Sequence, residues 1–392
     1  MTRRVTTRVG IVGGGPAGLM LSHLLAREGV DSIVLEARSR DYVIKRVRAG
    51  VLEQGTVDLL TESGVGDRLA ELGLVHTGFE IRFDGTSVRI ALDELTGGRA
   101  ITIYGQQEVV RDLIDARLAA GGALHFEIDD VRVEDPAGRP SLRATIAGEP
   151  TRIECDLIAG CDGFHGICRD TIPASERTVY EREFPYGWVG ILVAAPPSSD
   201  ELIYAHHPRG FALHSMRSPE ITRLYVQCPH DDEIEAWPDQ RIWEELHARL
   251  AAPGWSLTEG PILEKGVTGM RSFVIEPMQH GNLFLAGDAA HIVPPTGAKG
   301  LNLAMADVRR LAEGMIDFFR TGSRRGLDGY TADCLRRVWR AQEFSSWMTG
   351  LLHTGTAEPF ARSLQLARLR QLATSPHARA LLAENYVGPV AV

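Results

Sequence analysis

The feature that most constrains this chain is a glycine-rich turn near its start, Gly13-Gly14-Gly15-Pro16-Ala17-Gly18. The residues around it predict a strand over 8–12, a helix over about 17–28 and a second strand over 32–36. In the pattern Gly-x-Gly-x-x-Gly, Gly13 permits a tight turn, Gly15 lets a pyrophosphate approach the backbone, and Gly18 lets helix and strand pack closely.

The same segment indicates a ligand. The N terminus of the predicted helix offers N–H groups and the positive end of the helix dipole to phosphates. Glu36 ends the second strand, 18 residues beyond Gly18, where a carboxylate can accept hydrogen bonds from ribose hydroxyls. The segment therefore predicts a βαβ dinucleotide-binding unit, and the alternative is a glycine-rich turn with no ligand.

Composition excludes several other classes of protein. The chain has 392 residues with 44% hydrophobic and 24% charged residues, which favours two or three globular domains, and its net charge of −9 makes it a poor general nucleic-acid binder. Arg3, Arg4 and Arg8 precede an apolar segment as in a signal peptide, but glycines and a proline interrupt that segment. The five cysteines form no CxxC pair. We therefore expect a cytoplasmic protein without a metal, a nucleic-acid partner or a membrane span.

Hydrophobic patterning predicts the remaining elements. Helices are expected over 51–72, 107–120 and most of the chain from 301, a hairpin over 79–91 turning at Asp84-Gly85, short antiparallel strands over 187–194, 201–206, 210–215 and 223–228, and a buried strand over 282–287.

This order predicts a mixed α/β and α+β fold, in which a Rossmann-like domain is interrupted by a β-rich substrate domain and followed by a helical C-terminal region. We place the nucleotide domain at 1–177 and 269–345, the β-rich domain at 178–268 and the helical region at 346–392, where amphipathic C-terminal helices indicate a homodimer contact.

Two further motifs place carboxylates beside turns. Asp162 lies in Gly160-Cys161-Asp162-Gly163, and Asp288 follows the predicted buried strand in Leu285-Ala286-Gly287-Asp288. Open α/β sheets bind ligands at the carboxyl ends of their strands, so Asp288 could accept from ribitol or ribose hydroxyls. The Pro294-Pro295-Thr296-Gly297 turn could present backbone N–H groups to an aromatic heterocycle. The alternative for Asp288 is a helix cap or an ordinary turn residue.

With these three motifs in this order, the chain resembles the single-component flavin-dependent aromatic hydroxylases, and within them the branch acting on hydroxybenzoates. The resemblance covers nearly the whole chain and is most specific at 46–55, 161–166, 204–213, 271–302 and 384–388. It implies FAD at the first glycine motif and NADPH or NADH as a transient reductant. The implied reaction converts 4-hydroxybenzoate to 3,4-dihydroxybenzoate with O2, through a flavin C4a-hydroperoxide that attacks the substrate phenolate.

The β-rich segment carries a candidate substrate site. Ser215, Arg217 and Tyr225 alternate along adjacent predicted strands, so all three can face one pocket. Arg217 can hold a carboxylate through paired charge-assisted hydrogen bonds. The family places the carboxylate of 4-hydroxybenzoate here, whereas the residues alone also fit an ordinary sheet face with an exposed arginine.

The resemblance also implies roles for individual residues. Tyr204 and Tyr386 match the tyrosines that contact the substrate phenol, His76 the far end of their proton relay, and Pro295 and Thr296 the residues beside the substrate ring. Arg223 matches the residue that helps the flavin swing between an open and a buried position. The remaining positions implied to hold FAD are Arg46, Arg48, Gln106, Asp162, Asp288, Lys299, Leu301 and Asn302.

The nicotinamide site departs from the family. Tyr42, Arg46, His165, Arg169 and Arg271 match its expected contacts, whereas Arg38 is a candidate to take over the 2′-phosphate, a contact that could also be lost. The strongly NADPH-dependent members carry an arginine where this chain has Ala37, although Arg38 and Arg40 follow. We therefore predict relaxed use of NADH and NADPH.

Three alternatives remain at this stage. The same chemistry could act on 3-hydroxybenzoate or 3,4-dihydroxybenzoate, a flavin dehydrogenase or oxidase could act without oxygen insertion, or the chain could be a non-catalytic binding protein on the FAD fold. Tyr204, Arg217 and Tyr225 together favour the para acid.

Overall fold

The computed structural model describes residues 2–45, 50–355 and 358–388. Its strands are β1 (Arg3–Val12), β2 (Ser32–Leu35), β3 (Val51–Glu53), β4 (Leu74–His76), β5 (Gly78–Phe83), β6 (Thr86–Ala91), β7 (Ile101–Ile103), β8 (Ala123–His125), β9 (Asp129–Glu134), β10 (Ser141–Ile146), β11 (Glu149–Gly160), β12 (Thr178–Val193), β13 (Leu202–His206), β14 (Ala212–Ser218), β15 (Ile221–Pro229), β16 (Ile262–Glu276), β17 (Gln279–His280), β18 (Leu283–Leu285) and β19 (His291–Ile292).

The helices follow the same order along the chain. They are α1 (Pro16–Arg27), α2 (Arg40–Lys45), α3 (Gln54–Glu62), α4 (Asp67–Leu72), α5 (Leu92–Thr96), α6 (Gln106–Ala119), α7 (Asp239–Leu250), α8 (Gly300–Thr321), α9 (Arg325–Asp328), α10 (Tyr330–Leu352), α11 (Pro359–Thr374) and α12 (Pro376–Tyr386). The mixed fold class and the helical C-terminal region are thereby confirmed.

The first sheet has a parallel centre. Its main path is β17-β18-β11-β1-β2-β8, with β10 and β9 branching from β11. Strands β18, β11, β1, β2 and β8 run parallel, as the βαβ pattern predicts. The register sets Val12 beside both Leu35 and Gly160, and Gly160 beside Leu285. Four strands therefore end at one edge of the sheet.

The second sheet has eight strands in the order β19-β16-β12-β15-β14-β13-β5-β6. Its pairings are antiparallel except for β13 with β5, which is parallel. The hairpin at Asp84-Gly85 forms as predicted, and it joins this sheet although it precedes the β-rich segment. The predicted domain boundaries stay a prediction.

The predicted helix over 51–72 is partly wrong. Residues 51–53 pair with β7 as a strand, and the helical part is divided between α3 and α4. Long-range pairing with Ile101–Ile103 decides this conformation, which helix periodicity within the segment does not reveal. Likewise, the predicted strand over 282–287 ends at Leu285.

Three apolar cores position the site. One lies between the first sheet and helices that include α1, α6 and α8. A second lies between one face of the second sheet and helices α10 to α12, and it contains Tyr204, Tyr225 and Tyr386. A third packs α7 against the opposite face of the second sheet. The second sheet is therefore covered on both faces, and its tyrosine-bearing face is closed by the C-terminal helices.

Candidate functional site

The sheet edge brings the three sequence motifs together. Gly13 follows β1, Glu36 follows β2, Cys161 and Asp162 follow β11, and the turn containing Asp288 follows β18. Because these parallel strands end in register, their following loops meet at one edge, where open α/β sheets bind ligands.

The three glycines of the Gly-x-Gly-x-x-Gly motif lie in different structural settings. Gly13 has φ +105°, and a Cβ there would lie 2.2 Å from the carbonyl oxygen of Cys161. A Cβ on Gly18 would lie 2.0 Å from the carbonyl oxygen of Gly13. Gly15 is the N-cap of α1 with φ −78°, and a Cβ there would meet no heavy atom within 4 Å. The first two glycines are required by the fold, whereas Gly15 faces open space at a helix N terminus.

Two carboxylates organise the loops around this edge. The backbone N–H groups of Gly14 and Arg38 each donate to the Glu36 carboxylate at 2.7 Å. One oxygen of Asp162 accepts from the N–H groups of Ile167 and Cys168 at 2.7 and 2.9 Å. Oδ1 of Asp162 is buried and has no hydrogen-bond partner among the described residues.

The Asp288 turn is anchored from α8. Oδ2 of Asp307 accepts from the Gly287 N–H at 3.0 Å and lies 2.6 Å from Nε2 of His291. Asp288 itself is exposed in a short 3-10 turn just beyond β18. The structure thus places this carboxylate at the sheet edge, as the sequence predicted.

These residues fit a bound dinucleotide. The space in front of Gly15 can admit a phosphate at the helix N terminus. Across the site, Nε and Nη1 of Arg223 are buried and have no hydrogen-bond partner among the described residues. Buried guanidinium N–H groups need acceptors, which the oxygen and nitrogen atoms of FAD can supply.

Lys299 and Asn302 join the start of α8 to the rest of the site. The buried Lys299 ammonium donates to Oε1 of Glu53 at 2.6 Å and to the carbonyl oxygen of Tyr386 at 2.9 Å. Burial lowers the pKa of Lys299, and Glu53 offsets part of this effect. Asn302 accepts from the Glu53 N–H and donates to the Val51 carbonyl at 3.0 Å. Asn302 therefore holds β3 in place, and Glu53 is a site residue that sequence reasoning missed.

A pair of buried tyrosines lies on the covered face of the second sheet. The hydroxyls of Tyr204 and Tyr386 are 2.6 Å apart, and Phe79 packs against both rings. Burial raises the pKa of Tyr204, although the Tyr386 hydroxyl opposes this shift. Burial also raises the pKa of Tyr386. Both groups are protonated in the resting protein.

His76 is buried at the end of β4. Burial lowers its pKa to about 4, although Glu201 and Asp200 oppose the shift. Its Nδ1 has no hydrogen-bond partner among the described residues, so no direct bond from this nitrogen reaches the tyrosine pair. The predicted relay role of His76 stays a prediction.

The predicted substrate residues share one face of the sheet. Leu213 pairs with Tyr225 and Ser215 pairs with Arg223, so Ser215 on β14 faces the same side as Arg223 and Tyr225 on β15. The pairing is irregular at Arg217, but its guanidinium hydrogen-bonds to the Tyr225 side chain on this face. Burial opposes ionisation of Tyr225, but the guanidinium groups of Arg223 and Arg217 outweigh it and lower the Tyr225 pKa. This face is strongly cationic and suits an anionic ligand.

Pro295 and Thr296 lie in a 3-10 turn just before α8. Thr296 is fully buried, Pro295 is exposed, and the Pro295 carbonyl accepts from the Ala298 N–H at 3.0 Å. Gln106 begins α6, and Leu301 is a half-buried residue in the first turn of α8. Arg46 and Arg48 lie outside the described residues.

The predicted nicotinamide contacts form two groups. Arg169 and Arg271 lie over the Phe164 ring at 4.7 and 4.8 Å, and His165 packs edge-on against it. Arg38 lies over Tyr42 at 5.4 Å. Phe164 organises the first group, and its position inside the second sequence motif was the signal available to find it.

The fold and this set of residues define the class of protein, an FAD-dependent flavoprotein monooxygenase. The chain belongs to the family described as FAD binding domain, whose model matches residues 6–345. This family membership confirms the expected flavin cofactor.

Individual relatives narrow the comparison. The p-hydroxybenzoate hydroxylase of Acinetobacter baylyi is 48% identical over 384 residues, covering 97% of this chain and 95% of that protein. The crystal structure of p-nitrophenol 4-monooxygenase PnpA from Pseudomonas putida DLL-E4 has a TM-score of 0.85 at 19% identity and covers 100% of both chains. A ternary complex of aklavinone-11 hydroxylase with FAD and aklavinone has a TM-score of 0.74 at 22% identity, covering 88% of this chain and 69% of that chain. At these identities, the two structures show a shared fold.

No described helix is long and apolar enough to cross a membrane. Within the same residues, no group of three or more His, Cys, Asp or Glu side chains is arranged to hold a metal ion.

Proposed function

We propose that this protein hydroxylates 4-hydroxybenzoate to 3,4-dihydroxybenzoate, using FAD, O2 and either NADH or NADPH. The observation that carries the proposal is the cationic face of β14 and β15, which lies in the same covered core as the Tyr204–Tyr386 pair. The resemblance to p-hydroxybenzoate hydroxylase supports this choice of substrate.

Different residues bind the carboxylate end and the phenol end of the substrate. Arg217, with Ser215 and Tyr225, binds the carboxylate by charge-assisted hydrogen bonds. The Tyr204 hydroxyl contacts the phenol oxygen of the substrate. The phenol proton then passes through Tyr204 toward Tyr386, because the hydroxyls of these two tyrosines already share a hydrogen bond. FAD, held by residues that include Gly15, Asp288 and Lys299, would supply hydride acceptance from the nicotinamide and activation of O2. The C-terminal helices exclude water from this face.

The deciding experiment measures products as well as cofactor consumption. Protein purified with FAD is given NADH or NADPH and, separately, 4-hydroxybenzoate, 3-hydroxybenzoate or 3,4-dihydroxybenzoate. Chromatography quantifies the hydroxylated product, and a peroxidase assay quantifies hydrogen peroxide. We expect 3,4-dihydroxybenzoate from the para acid in near-equal amount to the nicotinamide oxidised. Hydrogen peroxide alone would favour an oxidase, and preferred hydroxylation of another acid would reassign the substrate.

We also propose a cytoplasmic homodimer. The C-terminal helices expose four large apolar side chains, Trp339, Phe360, Leu364 and Leu381, and exposed apolar surface of this kind favours a protein contact. Light scattering coupled to size-exclusion chromatography tests this, since a monomeric mass at micromolar concentration would contradict it.

A further inference from the structure

A buried histidine lies just beyond the end of α10. His353 is 3% exposed, and its Nε2 lies 2.7 Å from Nε1 of Trp188. The indole N–H can only donate, so Nε2 is the acceptor and carries no proton. The other ring nitrogen, Nδ1, therefore carries the proton and donates to the Thr349 carbonyl at 3.1 Å. Both nitrogens are engaged, which fixes the imidazole in one neutral tautomer.

Aromatic rings hold this imidazole in its plane. The planes of the His353 and Trp188 rings are inclined by only 11°, with centroids 5.8 Å apart. Phe211 stacks on both rings, with centroid distances of 4.6 Å to His353 and 5.3 Å to Trp188. Tyr186 also stacks on His353 at 4.9 Å. The hydrogen bond between Trp188 and His353 is therefore shielded from water, where such bonds are strongest.

Both partners of His353 lead to the proposed substrate site. The Trp188 ring packs against Tyr225 with centroids 4.8 Å apart. The Thr349 hydroxyl lies 2.9 Å from the hydroxyl of Thr296, in the turn that precedes α8. One imidazole thus joins Trp188, which packs on Tyr225, to Thr349, which contacts Thr296.

We infer that His353 is a positioning residue for the proposed hydroxylation. It acts through Trp188 and Thr349, holding Tyr225 and Thr296 in a fixed relation so that the substrate ring has one orientation. This inference rests on the proposed function. It assigns His353 no proton transfer, because its two nitrogens are committed to fixed partners.

The test compares three single variants and one double variant. His353→Phe keeps an aromatic ring but leaves the buried Trp188 N–H without an acceptor. His353→Gln keeps one acceptor and one donor, and serves as the conservative rescue. Trp188→Phe removes the donor instead. For each FAD-loaded protein, we measure product formed per NADH or NADPH oxidised and the KM for 4-hydroxybenzoate.

We expect His353→Phe to lower the product yield per nicotinamide at least threefold, while the rate of nicotinamide oxidation at saturating substrate changes less than twofold. His353→Gln should recover most of the yield. The double variant His353→Phe/Trp188→Phe should give a product yield no lower than that of the poorer of its two single variants, because both changes remove the same hydrogen bond.

His206→Phe provides the matched control. His206 is also buried, and its Nδ1 lies 3.1 Å from the Leu352 carbonyl at the same helix end, but among the described residues the ring contacts of Trp188 are with Phe211, Tyr225 and His353. The variant His206→Phe should lower the melting temperature of the protein without lowering the product yield per nicotinamide oxidised. An unchanged yield in His353→Phe, or an equal loss in His206→Phe, would overturn the positioning role. A wild-type protein that forms no hydroxylated product would overturn the proposed function and this inference together.

Discussion

The replacement Gly15→Ala separates the fold from the binding of FAD. Gly15 has φ −78° and ψ −176°, which alanine adopts without strain, and a Cβ there meets no heavy atom within 4 Å. The protein without FAD should therefore be unchanged or more stable by up to about 1 kcal/mol. A bound pyrophosphate would meet this methyl group. Losing one charge-assisted hydrogen bond costs about 1.5–3 kcal/mol, which weakens FAD binding roughly 10- to 150-fold.

Flavin fluorescence titration of the FAD-free protein measures the affinity, and thermal unfolding of the same preparation measures the stability. Gly18→Ala is the comparison, because its Cβ would lie 2.0 Å from a backbone oxygen and must displace the turn. That variant should lose stability before any FAD is added. Wild-type FAD affinity in Gly15→Ala would refute the placement of the pyrophosphate at this helix N terminus.

Four further outcomes are expected. Arg217→Ala should weaken binding of 4-hydroxybenzoate by about 2–5 kcal/mol in flavin-difference titrations, and equal weakening for uncharged phenols would remove Arg217 as the carboxylate anchor. Tyr204→Phe should keep FAD but divert nicotinamide oxidation to hydrogen peroxide, so a normal yield of 3,4-dihydroxybenzoate would contradict its role. Ala37→Arg should raise the ratio of kcat/KM for NADPH over NADH, and a hundredfold NADPH preference in the wild type would show that another residue binds the 2′-phosphate. Burial lowers the pKa of His214 to about 4, so its contribution to the free energy of unfolding is fully present above pH 6.5, and about 2 kcal/mol of it is lost at pH 5. Denaturant unfolding of His214→Gln should therefore show a smaller loss of stability between pH 7.5 and pH 5 than the wild type.

Local patterns predicted the parts of the fold that local chemistry decides. The glycine turn, α1 and β2 form within two residues of their predicted limits, apart from the earlier start of β1, because strand, turn and helix signals agree there. The Asp84-Gly85 hairpin forms for the same reason, since both turn residues have positive φ. Residues 51–53 do not form the predicted helix, because they pair with a strand that lies about fifty residues further along the chain.

Local sequence patterns predicted less of the candidate site than of the fold. Tyr204 and Tyr386 are separated by 182 residues, and their pairing was expected from the family resemblance alone. Trp188 and His353 were not singled out, because a tryptophan in an apolar strand and a single histidine after a helix are typical of a packed core. Their hydrogen bond joins positions 165 residues apart, and no spacing rule reports a contact of that kind.

The C-terminal region does more in this fold than cover a sheet. The family model ends at residue 345, whereas Thr349, His353 and Tyr386 lie beyond it. Tyr386 contributes its hydroxyl to the tyrosine pair and its carbonyl to Lys299, so α12 touches both the proposed substrate side and the start of α8. The matched part of the chain carries the glycine turn and the strand-edge carboxylates that suit FAD. The last helices complete the enclosed face, so differences in this region act on the proposed substrate side and on the start of α8 together.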